Sequence, residues 1–303
     1  MRISNQMILR QSQNRLQSGL QGIDKLREDI SSGIRIQRMS DDPTSASEVV
    51  RVGSSLRAIE RFRQNSQKGT TRSGAEEGVL DNLTTTLSRA AELAVGQASA
   101  TGSAQTRLIA KAEVDQLISF AVGLGNTRID DDYLFGGTRA TERPFAVPAA
   151  PATPFSRLVD ATNAPVNPSG STPIEVGDGK FVTPNHNGTE VFLTTDAFES
   201  LRALSDALGT NSVGGITAAL TRINAATSNV QTLIGTQGAR ANELEIARTN
   251  LDSLEETLKI FRSDLRDTEV DQALAELVGK QTMYQAAMGA TSRILTLSLA
   301  NYI

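Results

Sequence analysis

The chain has 303 residues, 39% of them hydrophobic and 21% charged, a globular rather than disordered composition with room for two or three compact units. A formal net charge of -4, with acidic and basic residues interspersed, carries no nucleic-acid footprint, and the absence of cysteine excludes disulfides and thiolate metal sites. One histidine, His186, leaves little for zinc or base catalysis, and with no Trp and 4% aromatics the core is expected to be Leu, Ile, Val and Ala on long helices, not bulky rings.

The first twenty residues lack the unbroken apolar run of a cleaved signal, because Gln6, Arg10, Gln11, Gln13, Asn14 and Arg15 interrupt it. No window approaches eighteen apolar residues, so no membrane span is expected. Leu9, Leu16, Ile23 and Ile30 recur every seventh position, which predicts an amphipathic helix. Ser31-Ser32-Gly33 ends it, Ile34 to Met39 is extended, and Asp42-Pro43 restarts a helix, Asp42 being the N-cap residue and Pro43 filling the first position, where no N–H is needed. Val49, Val52, Leu56 and Ile59, then Leu80, Leu83, Leu87, Ala90 and Ala94, continue a helical stripe until Thr101-Gly102-Ser103. A third helix carries Leu108, Leu117, Ile118, Ala121 and Leu124 before the acidic turn Asp130-Asp131-Asp132.

Eight of the nine prolines lie between Pro144 and Pro184, so residues 140–195 are expected to be a small β-rich insertion. Within it Asn187-Gly188 followed by Glu190, Val191, Phe192 and Leu193 predicts a hairpin turn entering a strand. Asp196 is the expected cap of a short helix through Leu208, and Gly209 to Gly215 a loop. From Ile216 onward there is no proline, and a seam of Leu244, Leu251, Leu254, Leu258, Phe261 and Leu265 predicts near-continuous helix with a hinge at Asp267-Thr268. At the far end Tyr284, Met288, Thr291, Leu295, Ser298 and Tyr302 form one row, and Met283, Ala287, Ala290, Ile294 and Leu297 a second.

Heptad stripes in residues 43–125 and 216–265 are ordinary bundle packing. The terminal seams differ, because they run almost to the chain ends and a single stripe does not stabilise a lone helix. Leu9, Leu16, Ile23 and Ile30 are therefore expected to meet Met288, Leu295 and Tyr302 at an assembly interface, the ends becoming ordered on assembly. No catalytic, cofactor-binding or metal-binding residue is expected. Asp41 and Asp42 read as turn and cap chemistry, Asp130 to Asp132 lack calcium-loop spacing, Gly177-Asp178-Gly179-Lys180 lacks the phosphate-loop spacing, and His186 reads as an exposed turn residue.

Both ends resemble the flagellin family. The carriers are Ser32-Gly33-Ile34-Arg35-Ile36 with Ser40-Asp41-Asp42-Pro43, and on the C-terminal side Gly238-Ala239-Arg240-Ala241-Asn242-Glu243-Leu244-Glu245 with Ser263-Asp264-Leu265-Arg266-Asp267-Thr268-Glu269. Met1-Arg2-Ile3-Ser4, Tyr133-Leu134-Phe135-Gly136-Gly137-Thr138 and the Tyr284-Gln285-Ala286-Ala287 ending look most like its hook–filament junction members. The resemblance implies a mainly α fold: residues 1–42 and 268–303 as a terminal coiled-coil region, 43–139 and 196–267 as a helical rod, and 140–195 as an outward insertion. It also implies a structural, non-enzymatic subunit exported unfolded by the flagellar type III apparatus. Its implied partners are the other hook-associated junction protein, flagellin, like subunits in a ring, and a cytosolic export chaperone over part of residues 270–303. Filament flagellin is the nearest alternative; a secreted adhesin or enzyme on the same framework is a further one.

Overall fold

The computed structural model describes residues 2–99, 102–148, 153–158 and 166–300, with the side chains of 2–6, 8, 9 and 294–300 outside the description. Six helices dominate: α1 (Arg2–Ser32), α2 (Pro43–Gln97), α3 (Ala104–Gly125), α4 (Ala197–Gly209), α5 (Val213–Arg266) and α6 (Val270–Ala300). Two antiparallel two-stranded hairpins complete the order, β1 (Arg128–Ile129) with β2 (Asp132–Tyr133), and β3 (Ile174–Gly177) with β4 (Lys180–Val182). None of the helices is long and apolar enough to cross a membrane, among the described residues.

Local chemistry sets the helix ends. Gly33, at φ 70°, terminates α1 in a left-handed conformation that a Cβ disfavours. The Asp42 carboxylate accepts the Ser45 N–H at 3.1 Å and so caps α2. Ser103 caps α3 by accepting the Thr106 N–H. The chain breaks again between Arg266 and Val270, at the expected hinge.

The chain divides into two compact units, residues 1–58 with 254–303, and residues 59–253. In the second, Leu80, Leu83 and Leu87 of α2, Val114, Ile118 and Ala121 of α3, Leu201, Leu204 and Leu208 of α4, and Ile216, Ile223 and Val230 of α5 share one aliphatic core. Continuous with it is a cluster of five buried rings. Phe192 stacks on Phe198 at 4.8 Å between centroids, Phe198 on Phe155 at 4.7 Å, and Phe135 and Phe145 stand edge-on to Phe192 at 5.2 and 5.3 Å. The all-aliphatic core expected from composition is therefore corrected: the rings are few but concentrated where α3 and α4 meet the proline-rich segment. Gly125 belongs to this contact, since a Cβ there would lie 2.7 Å from the Phe145 ring.

The proline-rich segment holds less β structure than expected. Its described strands are β3 and β4, whose Val176 and Val182 pack on Leu244 and Ala247 of α5. Thr189–Thr194, expected as a strand, is a π-helical turn. Asn187 and Glu190 cap it reciprocally: Asn187 Oδ1 accepts the Glu190 N–H at 3.0 Å, and Glu190 Oε2 accepts the Asn187 N–H at 3.1 Å. The turn thereby delivers Val191 and Phe192 into the core. Asp196 does not cap α4 with its side chain; at φ 68° it turns its carboxylate to a two-point ion pair with Arg222, both contacts 2.8 Å. The loop expected over 209–215 shrinks to residues 210–212.

His186 is also corrected: it is 4% exposed, not on the surface. The fully buried Glu76 of α2 accepts the His186 N–H at 3.1 Å and contacts Nδ1 at 2.7 Å, and Nε2 lies 3.2 Å from Thr236 Oγ1. Next to it, Gln237 donates to Ser73 Oγ and to the Pro184 carbonyl at 2.7 and 2.8 Å, so polar bonds tie this segment to α2 and α5.

The ring cluster gives a direct stability test. Phe198→Ala should lower the urea unfolding free energy by about 3–5 kcal/mol through the cavity it leaves. Phe181→Ala, removing a ring that is mostly exposed on β4, should change it by less than about 0.5 kcal/mol.

Candidate assembly surface

In the first unit α1 and α6 run antiparallel. Gly19 faces the Tyr284 ring, where a Cβ would stand 3.4 Å away, and Gly22 faces Lys280. Ser12 and Leu16 share a groove with Met283, Tyr284, Ala287 and Thr291. A Cβ at 19 or 22 would make only ordinary contact with these partners, so the two facing pairs mark the antiparallel register rather than impose it.

The base of this hairpin is built by backbone exchange between two connections. Arg35 N–H donates to the Arg266 carbonyl at 2.8 Å, Thr268 N–H donates to the Gly33 carbonyl at 2.9 Å, and Ile34 bridges Asp267 antiparallel. Arg35 Nη2 adds a bond to the Leu265 carbonyl at 2.8 Å, and Thr268 Oγ1 one to the Asp29 carbonyl at 3.1 Å. The extended residues 34–36 thus satisfy their polar groups against the α5–α6 turn.

Asp41 closes the other side of the loop. Its Oδ2 accepts the N–H groups of Gln37 and Arg38 at 3.2 and 3.0 Å, and its Oδ1 pairs with Lys25 Nζ at 2.6 Å. The Lys25 bond, followed by the backbone donors, holds the Asp41 carboxyl down at about 2. Asp42 is also held below the ordinary carboxylate range, chiefly by bonds from Ser45. Asp29 moves the opposite way, because burial disfavours its charged form.

Of the residues expected at the interface, Ile23 is buried and Leu16 and Ile30 are half-buried. Met288 is 51% exposed and is not among the residues lining the Leu16 groove. Leu9 and Leu295 lie within α1 and α6, but their side chains, like the whole of Tyr302, are outside the described residues. Beyond the paired face α6 shows Val270, Leu274, Val278 and Met288 to solvent, and α1 shows Met7 and Leu20. Sequence reasoning placed the hinge at Asp267-Thr268 but missed Lys25, Gly19 and Gly22, whose partners Asp41, Tyr284 and Lys280 are brought to them by the pairing of distant segments. No group of three metal-ligating side chains occurs among the described residues.

Residues 3–140 match the bacterial flagellin N-terminal helical region. The chain is 24% identical over 269 residues to the flagellar filament 30.7 kDa core protein of Treponema maltophilum, covering 89% of this chain and 87% of that protein. It is 26% identical over 318 residues to flagellar hook-associated protein 3 of Escherichia coli, covering 99% of this chain and 98% of that one. Its fold is similar to a Vibrio parahaemolyticus structure described as flagellar hook-associated, with a TM-score of 0.63 and 18% identity over 75% of this chain and all of that one. Residues 3–140 therefore carry a flagellin N-terminal helical region, and the long-helix fold is the one that these flagellar hook-associated structures share.

Asp41 provides a pH test of the hairpin base. Its contribution to stability is present above the ordinary value of 3.8 and is lost as pH falls through about 2. An NMR titration of the Asp41 carboxyl carbon should show a midpoint near 2 that moves toward 3.8 in Lys25→Met. An unmoved midpoint would remove Lys25 as the main cause.

Proposed function

We propose that the chain is an adaptor subunit at the hook–filament junction, exported unfolded through the flagellar type III apparatus and assembled through residues 1–42 and 268–303. The observation that carries this reading is the outward apolar face of α6, where Val270, Leu274, Val278 and Met288 share one side of the helix and Val278 and Met288 are 61% and 51% exposed, on a helix that is already paired with α1. A helix with that much uncovered apolar area calls for neighbours in addition to α1. Its partners on this reading are the other hook-associated junction protein, flagellin, like subunits in a ring, and a cytosolic chaperone that covers part of residues 270–303 before export. Leu9, Leu16, Ile23, Ile30, Met288, Leu295 and Tyr302 are proposed as interface residues, with Asp42 as the helix cap that shapes the connection. Residues 43–139 with 196–267 serve as the rod and 140–195 as the outward segment.

The likeness to a Treponema filament core protein favours a second reading, filament flagellin. Immunogold labelling of intact cells separates the two: a band at the distal end of the hook is expected, and label along the filament would replace the junction reading with the filament one. Leu295→Asp combined with Tyr302→Asp should preserve the far-UV circular dichroism of residues 59–253 and abolish swimming in cells that depend on this chain. Normal motility of that variant would exclude the terminal seams as the assembly element.

A further inference from the structure

The helix α3 engages all four of its charged residues within the second unit. Arg107 is buried and donates to the carbonyls of Gln97 and Ser99 and to the Asn211 side chain. Lys111 pairs with Asp115 at 2.6 Å, and Glu113 with Arg89 of α2 at 2.7 Å. Val114, Ile118 and Ala121 face the core. The outward side is left without a charge, since every exposed position of α3 is neutral. It is also apolar, with Ile109 65% and Phe120 52% exposed.

Along that side Ile109, Ala112, Gln116, Phe120 and Gly123 follow one another at spacings of three, four, four and three. At about 3.6 residues per turn they form a single stripe roughly 21 Å long. The spacing reads the same in both directions about Gln116, but the side-chain sizes do not: reversal sets Gly123 where Ile109 stood and Phe120 where Ala112 stood. Two copies of the stripe laid antiparallel therefore meet large against small in every layer but the middle one. There Gln116 meets its own mate, and an amide can both donate and accept. Such a contact takes no charge out of water.

We propose that this stripe is the contact surface for a second copy of the chain, joined α3 to α3 about a two-fold axis through Gln116. The occupant follows from the stripe itself, because its complement in spacing and in side-chain size is its own reversal. The pair uses none of residues 1–42 and 268–303, so it does not rest on the assembly surface proposed above. An isologous contact also closes at two copies, where an assembly contact must propagate. One helix pair of this length buries less than the roughly 1,200 Å² of a stable interface, which makes the dimer weak and transient.

The chain has no cysteine, so a single introduced thiol reports on its own surroundings. Under mild oxidation of the full chain, Gln116→Cys should form a covalent dimer at least about tenfold faster than Glu77→Cys, an exposed position of α2, because pairing raises the local thiol concentration. Ile109→Cys mixed with Gly123→Cys should give the mixed dimer in preference to either symmetric one, which reads the register. Phe120→Glu added to Gln116→Cys should return the rate to that of Glu77→Cys and keep the wild-type circular dichroism, since this ring is exposed and outside the core. A Gln116→Cys rate no higher than the control, indifference to Phe120→Glu, or a mixture without excess of the mixed dimer would each overturn the inference. So would a fast rate that Leu295→Asp with Tyr302→Asp abolishes, because the contact would then belong to the terminal helices.

Discussion

The geometry of the first unit depends on a backbone exchange between two chain connections. Residues 33–36 leave α1 and residues 266–268 leave α5, and each supplies the hydrogen-bond partners that the other lacks, through Arg35 to Arg266, Thr268 to Gly33 and the Ile34–Asp267 bridge. Backbone bonds are indifferent to side chains but strict about direction. They force α1 and α6 to set off from one base in antiparallel register, so that Gly22 meets Lys280 and Gly19 meets Tyr284 further along. Gly33 makes the exchange possible, because its positive φ turns its carbonyl toward Thr268 after α1 ends. Asp41, Lys25 and Asp42 then brace the loop that leads on to α2.

In the second unit directional polar bonds and ring packing divide the work. The Glu76–His186 and Gln237–Ser73 contacts join residues distant in sequence and fix where the proline-rich segment lies on α2 and α5. Each such bond contributes only about 0.5–1.5 kcal/mol net, whereas leaving a buried partner unsatisfied costs about 1–3 kcal/mol. They therefore specify position more than they add stability. The larger contribution comes from the five rings, which fill the space that short loops cannot.

Much of this was legible because helix ends are written in local chemistry. Ser32-Gly33, Asp42-Pro43 and Ser103 mark boundaries by caps and fixed dihedrals that act within four residues, and the structure places ends there. The misread elements are those with competing local signals or distant partners. Asn187-Gly188 before Val191 and Phe192 has the composition of a hairpin, yet the Asn187–Glu190 spacing is also that of a capping box, and the ring cluster decides in favour of the helical turn. His186 reads as surface from its neighbours, because the carboxylate that buries it lies 110 positions away. The rings spread over residues 135 to 198 show no periodicity, so nothing in the sequence pattern gathers them. Of the terminal rows, periodicity identified apolar faces on α6 but not which one α1 covers; the groove that Leu16 shares with Met283, Tyr284 and Ala287 shows it.

The open apolar face of α6 and the backbone-built base of the pair do different work. Apolar burial gives affinity but tolerates sliding, since a stripe repeating every turn matches a neighbour at several offsets. Backbone bonds at the base remove that degeneracy within one chain, because Arg35 to Arg266, Thr268 to Gly33 and the Ile34–Asp267 bridge pair at one offset only. Asp41 with its Lys25 partner holds the same base from the other side of the loop. The hairpin base therefore sets the register of α1 and α6 within one chain and leaves the apolar face of α6 uncovered beside it.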